Sequence, residues 1–484
     1  MIAGVKNKDY SFGIFAALFI LVAAFAAFTQ LYYLAAIPFI LLFFYEGWRS
    51  LQMIFLILLF ALPFSAEFQF SETLGTDLPD EFLMIIVSVF FFCYWIYRPA
   101  VLPKKTAQHP LIILLLISLC WSLVSVLFST TPLISFKFLL AKSWYIGAFV
   151  IAALIFFTEK QMIRKAITAL VAAMVLVTII TMVRHSQYAL KFADINKALQ
   201  PFFRNHVNYS ALLVCIIPIL FAYWRSVKKA KSKIFIGIIV ALMLVALYFS
   251  YARGAWLALI TGIIAGWLIK RKGLVIGYIV FIVVSISVVF WIKSNDRYLQ
   301  YAHDYKTTIW HENFEEHLAA TYHLKDASTA ERFYRWIAGV RMIKDRPLTG
   351  FGPNSFYNNY KPYTIPLFKT WVSDNKEHST VHNYFLLIAI EQGIPGLIIF
   401  LVLAGMMLYY AQHLYHRVKD GFYKTIAIVS GVVLTMIITV NFLSDLIETD
   451  KIGSLFFLCL SILVVTDVNT RKELDLATDI QRIP

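Results

Sequence analysis

The sequence predicts an all-α, polytopic membrane protein with about 12–14 transmembrane helices and one large outer loop. Three observations predict it. The 484 residues are 60% hydrophobic and 15% charged, with a mean hydropathy of +0.72, far from the balance of soluble globular chains. Apolar runs of roughly the 20 residues that cross a bilayer recur from Ser11 almost to the C-terminus. The runs are continuous and lack period-two alternation, and lipid-buried backbone is restricted to helices or closed barrels. Helices follow.

Taken in order, the runs fall near 11–28, 31–45, 51–68, 82–97, 111–128, 138–157, 163–183, 207–224, 234–250, 254–269, 274–292, 383–410, 425–443 and 453–467. Lys6 and Lys8 precede the first run as in a signal peptide, but a second run starts at Leu31, which favours a retained first span. Alternate connections are basic: Arg98, Lys104 and Lys105; Lys160, Arg164 and Lys165; Arg225 to Lys233; Lys270 to Lys272; Arg417, Lys419 and Lys424. The connection from Glu67 to Glu81 has no Lys or Arg, and the last one sets Asp445, Glu448 and Asp450 against Lys451. The positive-inside rule then places both termini in the cytoplasm. The formal charge of +15 is read as orientation and not as nucleic-acid binding. The runs flanking Arg253 are open to a second reading, as one broken helix. Cys93, Cys120, Cys215 and Cys459 lie inside apolar runs without CxxC spacing, which reads as packing, not disulfides or metal.

These boundaries divide the chain into an N-terminal transmembrane bundle (1–292), a large periplasmic loop with helices (293–381), C-terminal transmembrane helices (382–468) and a cytoplasmic tail (469–484). Such a long loop carries function or its own helices. Within it, 329–344 reads as helix with Phe333, Trp336, Ile337 and Val340 on one face. Pro347, Gly350, Gly352 and Pro353 end it.

Ionisable residues at the edge of the apolar runs are the candidates for chemistry. Arg253 sits between two runs, beside Gly254, where a guanidinium suits a phosphate; the alternative is a headgroup anchor. His382 ends the loop, with Ser379 and Thr380 as N-cap candidates for a helix starting there. The run from Asn383 to Tyr410 is too long for one perpendicular crossing. Gly393, Pro395 and Gly396 predict a break that makes His382 to Gln392 a short helix with its positive end at the outer cavity. Arg332 and Arg335 add charge from the loop, and Arg204 precedes a span on the same side. Each also has a plain reading as a solvated or headgroup-facing cation.

His311, His317 and His323 are spaced across different helix faces and form no HExxH, so a zinc site is not expected. Asp77, Asp80 and Glu81 are carboxylates suited to a divalent ion, but an acidic connection that sets topology explains them. No Walker A or Rossmann glycine pattern is present. Arginines and a histidine without a nucleotide motif suit a donor that carries its own activation, such as a lipid diphosphate, whose leaving group guanidinium groups stabilise.

Three stretches in their order resemble the bacterial O-antigen ligase and polymerase superfamily. They are Ser250-Tyr251-Ala252-Arg253-Gly254-Ala255-Trp256, Arg332 to Trp336 running on through Asp345 to Phe356, and His382-Asn383-Tyr384 through Glu391-Gln392-Gly393-Ile394-Pro395-Gly396. The resemblance implies a GT-C-like fold in the bacterial inner membrane and an active site on the periplasmic side. It also implies metal- and cofactor-independent transfer of a glycan from an undecaprenyl-diphosphate-linked donor. Lipid A-core is the acceptor in a ligase. A polymerase extends a second carrier-bound glycan, and a protein O-oligosaccharyltransferase glycosylates protein. By motif, Arg253 and Arg332 bind the diphosphate, His382 activates or orients the acceptor hydroxyl, and Arg335 ranks below Arg332. Arg204 is followed by Asn205-His206-Val207-Asn208, which departs from the Asn-Pro-Asn-like pattern of that segment. A lipid or glycan transporter, which is no enzyme, calls for charges lining both halves of a pathway; here they cluster on one side.

Overall fold

Eleven helices among the described residues are long and apolar enough to cross a membrane. The computed structural model describes residues 51–71, 74–301, 327–369, 373 and 380–480. The expected spans 11–28 and 31–45, the three loop histidines, Trp371 and Ser379 lie outside the described residues. The N-terminal unit, residues 1–59, is described only from Leu51, where the helix Leu51–Ala61 begins; everything below concerns residues 60–484.

A hairpin of β1 (Ala66–Ser71) and β2 (Leu74–Leu78) opens this unit. The spans that follow are α1 (Asp80–Tyr97), α2 (Pro110–Leu127), α3 (Pro132–Phe156), α4 (Lys160–Ser186), α5 (His206–Ser226), α6 (Ala230–Tyr248), α7 (Arg253–Lys270) and α8 (Leu274–Lys293). The loop helix α9 (Ala327–Asp345) precedes the last three, α10 (Tyr384–Arg417), α11 (Gly421–Phe442) and α12 (Asp450–Ile480). Residues on either side of Arg253 form two separate spans, so the single broken helix is excluded.

Sequence explains several helix starts. Pro110 and Pro132 stand at the first turns of α2 and α3, where a missing N–H costs nothing. Asn205, Asn383 and Asp420 cap α5, α10 and α11 through side-chain oxygens. Interior polar groups then join spans, as membrane helices lacking a strong hydrophobic drive require. Thr261 and Thr439 hydrogen-bond at 2.8 Å between α7 and α11, and His416 reaches the Ile269 carbonyl at 2.8 Å. The α12 span is the central post, with 89% of its apolar window buried, whereas the span starting at Leu274 is 6% buried and faces outward.

Because each span reverses direction, the connections 62–80, 187–205, 249–252, 294–383 and 443–449 share one face. Cross-links agree: Tyr251 Oη donates to the Leu190 carbonyl at 2.7 Å and Lys451 Nζ to the Ser65 carbonyl at 2.9 Å. On the opposite face, buried Asp467 takes Arg417 at 2.9 Å and Arg471 at 2.8 Å, and His109 lies at 3.3 Å.

Two features go beyond the sequence reading. The acidic connection before α1 holds a paired hairpin; short strands of irregular polarity hide from a pattern reading. In α9 the buried face is Glu331, Tyr334, Arg335, Ala338 and Met342, while Phe333, Trp336, Ile337 and Val340 are half-buried. Glu331 and Arg335 neutralise each other at 2.7 Å, so this turn is buried despite its charge, which hydrophobic periodicity misses.

Candidate active site

The loop face gathers around the four residues Thr380 to Asn383. His382 is not the first residue of a helix. It stands two residues before α10, in left-handed backbone with φ 52°, a conformation that costs a side-chain-bearing residue about 1–2 kcal/mol and persists where surroundings fix it. The expected cap role of Thr380 is likewise corrected: Asn383 caps the helix, with its Oδ1 accepting from Leu386 N at 3.0 Å. Thr380 Oγ1 donates to Asp445 instead.

The fixing groups come from two elements. From α9, Arg335 Nη1 donates to the Thr380 carbonyl at 2.8 Å and Trp336 Nε1 to the Val381 carbonyl at 3.0 Å. From the end of α11 and the turn after it, the Phe442 carbonyl accepts from Asn383 Nδ2 at 3.0 Å and the Ser444 carbonyl accepts from Tyr384 N at 2.9 Å. None of these bonds uses the imidazole. The backbone is held on both sides and the ring is left for other work.

Arg335 is itself fully buried. Its Nε binds Glu331 at 2.7 Å, Glu331 also accepts from Ser373 Oγ at 2.6 Å, and the guanidinium lies over the Tyr360 ring at 5.7 Å. Burial pushes the Tyr360 hydroxyl up to about 12, so it stays protonated. Arg332, one turn of α9 earlier, is only partly buried. Burial first, and then the charges of Arg332 and Arg335, press His382 down to about 3. The imidazole is neutral and able to accept a proton. Burial raises Asp445 above the usual carboxylate range, against the hydrogen bond from Thr380.

The break expected after Gln392 is present at Gly393, with φ 71° and ψ −179°. A Cβ there would lie 2.0 Å from the Leu348 carbonyl oxygen, so the glycine permits both the conformation and the close approach. The loop segment after α9 straps onto this break. Ile394 N donates to the Pro347 carbonyl at 2.8 Å, Phe351 N to Ile390 at 3.0 Å and Gly352 N to Glu391 at 2.9 Å. The Glu391 carboxylate accepts from Asn354 N at 2.8 Å and Phe356 N at 3.1 Å. Trp121 Nε1 takes the Gln392 carbonyl at 2.8 Å. Residues 347–356 and 390–394 are thus two halves of one latch, although Glu391 was no site candidate. Its only sequence signal was a carboxylate beside a Gly/Pro break.

Arg253 opens α7 on this face. The neighbouring Gly254 sits 3.7 Å, measured from an added Cβ, from Leu443, which follows the Phe442 that holds Asn383. Arg253 therefore shares the end of the bundle with the histidine turn. Arg204 lines a different, acidic cavity whose walls include Asp77, Glu81, Glu448 and Lys451. Among the described residues, no three His, Cys, Asp or Glu side chains are grouped to hold a metal ion.

The family model described as O-antigen ligase matches residues 238–401, which contain Arg253, Arg332, Arg335, His382 and Glu391. The O-antigen ligase of Salmonella typhimurium (strain LT2) is 26% identical over 225 residues, 45% of this chain and 50% of that protein. By this segment and this relative the chain is similar to the O-antigen ligase superfamily. It spans about half the length of the relative it matches. The superfamily's matched segment here holds the histidine turn, the latch and the start of α7, while Arg204 lies outside it.

Proposed function

We propose that the protein is a member of the O-antigen ligase superfamily that transfers a glycan from an undecaprenyl diphosphate carrier to lipid A-core at the periplasmic face of the bacterial inner membrane, without a metal. The observation that carries this reading is the neutral His382, locked in left-handed backbone beside Arg332. The imidazole takes the proton of an acceptor hydroxyl as its oxygen attacks the anomeric carbon. The bond from that carbon to the diphosphate breaks, and the leaving diphosphate carries the electron pair toward Arg253 and Arg332. Guanidinium groups aimed at developing charge supply the larger effect, and base assistance about 10²–10⁴-fold. The buried Arg335 acts through the turn that it holds.

Donor binding also tunes the base. An imidazole near pKa 3 is a weak base, and a diphosphate anion beside Arg332 offsets one cause of that low value. The histidine becomes a better base only when a donor is in place. Basic connections on the face opposite the loop support the assignment of the loop to the periplasm.

The test offers one purified lipid-diphosphate donor with lipid A-core, with a second donor, or with a protein. Glycosylated lipid A-core alone supports ligation. A lengthened carrier-bound glycan or a glycosylated protein assigns a different reaction of the superfamily, and lipid movement across vesicles without a new glycosidic bond refutes an enzyme.

A further inference from the structure

The strap between α9 and the break in α10 carries a basic patch that the candidate active site does not use. Arg341 and Lys344 lie near the end of α9, Arg346 follows it, and Lys361 comes from the short turn Lys361–Tyr363. That turn is fastened to the end of α9: Tyr363 Oη donates to Asp345, and Arg341 Nη1 donates to the Tyr363 carbonyl at 3.2 Å. Four cations thus stand around one carboxylate, which already holds a tyrosine hydroxyl. Lys344 and Lys361 are exposed. Among the described residues, none of the four cations is in an ion pair with a carboxylate.

The patch sits at the bilayer boundary. Residues 128–131 turn the chain from span α2 into span α3, so they stand at the membrane surface, and the strap is tied to them. Thr130 N donates to the Phe351 carbonyl at 2.9 Å, and Asn359 Nδ2 donates to Thr130 Oγ1 at 3.0 Å. The Arg346 guanidinium lies 3.5 Å from the Phe128 carbonyl and 5.1 Å from the centre of the Phe351 ring. Apolar side chains stand bare beside these cations: Leu348 is 69% exposed and Phe128 60%. Leu348 is held against the break in α10, where Ile394 is exposed as well. Bare apolar groups flanked by cations suit a surface seated at headgroup depth in an anionic leaflet. Two plainer explanations fall short. The α9 dipole favours a cation in its last turn, but Arg346 lies beyond the helix and Lys361 comes from another element. The orientation rule acts through short connections, not through a loop of this length.

We propose that this patch binds the phosphate headgroup of an anionic bilayer lipid and thereby ties the lipid to the latch. The cations supply charge-assisted hydrogen bonds to phosphate oxygens, while Leu348 and Phe128 lie against the acyl chains just below. A ligand that binds only the docked strap favours the docked state. The strap's Phe351 and Gly352 amides, which donate to the Ile390 and Glu391 carbonyls, then open less often. The lipid surface stands whether or not the chain transfers a glycan.

Hydrogen exchange tests the proposal. The full chain is placed in nanodiscs of phosphatidylcholine alone or mixed with phosphatidylglycerol, and exchange across residues 344–356 is followed by mass spectrometry. With phosphatidylglycerol, the Phe351 and Gly352 amides exchange at least about fivefold more slowly, the effect of one cation near an anionic surface. Lys344→Gln/Lys361→Gln changes two exposed side chains. The variant exchanges like the unaltered protein in phosphatidylcholine and loses the slowing by phosphatidylglycerol. Glycerol 3-phosphate, a headgroup without acyl chains, leaves exchange in detergent unchanged. Equal exchange in the two nanodiscs overturns the proposal, as does slowing that survives in the double variant. Glycerol 3-phosphate slowing exchange as much as phosphatidylglycerol also overturns it and assigns a soluble phosphate instead.

Discussion

Replacing Arg335 separates a phosphate ligand from a residue that aims the histidine. Arg335→Met leaves Glu331 in a buried site without the cation that sits 2.7 Å away, a loss of about 3–5 kcal/mol for one partner of a buried pair. The Thr380 carbonyl loses a 2.8 Å hydrogen bond, roughly 1 kcal/mol more. The variant is expected to lose about 4–6 kcal/mol by denaturant unfolding in detergent. Glu331→Gln/Arg335→Met removes both charges and recovers most of that stability. It does not recover the bond to Thr380, so the left-handed turn relaxes. An ångström of displacement at His382 costs about 100-fold in rate. Steady-state transfer should therefore show kcat falling about 100-fold in the double variant with donor KM nearly unchanged. The reasoning is refuted if the refolded double variant keeps kcat and loses donor affinity, since Arg335 would then be gripping the diphosphate.

Three other outcomes follow from the same geometry. Gly393→Ala forces a side chain into φ 71° and against the Leu348 carbonyl, and should destabilise the protein by more than about 4 kcal/mol in the same unfolding assay. Glu391→Gln exchanges a carboxylate oxygen for an N–H₂ facing the N–H of Asn354 or Phe356, and is expected to cost about 2–3 kcal/mol, read as a lower unfolding midpoint and as faster proteolysis within 347–356. For pH, His382 stays neutral down to about 3 without donor. Protons taken up by the unfolded chain below its ordinary value near 6.5 make stability fall between those two pH values. The kcat/KM profile should lack an acid limb near 6.5, while kcat, which reports the donor complex, should show its limb at higher pH than kcat/KM.

Span positions were readable because continuous apolar runs leave the backbone one solution, and Gly393 was readable because Gly-x-Pro-Gly permits little else. The site was legible only in outline. His382 and Arg253 stood out as ionisable residues at the edges of apolar runs, and Arg332 as a cation of the long loop. The left-handed turn was not legible, because His382 carries no local signal for it: four partners distant in sequence impose it. Arg335 was open between a site cation and a solvated helix face, and its burial, made possible by mutual neutralisation with Glu331, is a long-range outcome that one residue does not signal. The hairpin at 66–78 was hidden because its short strands carry irregular polarity in place of period-two alternation.

The most direct measurement is single-turnover transfer by His382→Gln, with purified lipid-diphosphate donor and lipid A-core in one vesicle preparation. The account predicts unchanged donor binding and a rate lower by about 10²–10⁴-fold, the contribution of a positioned base. Product formed at the rate of the unaltered protein would contradict it.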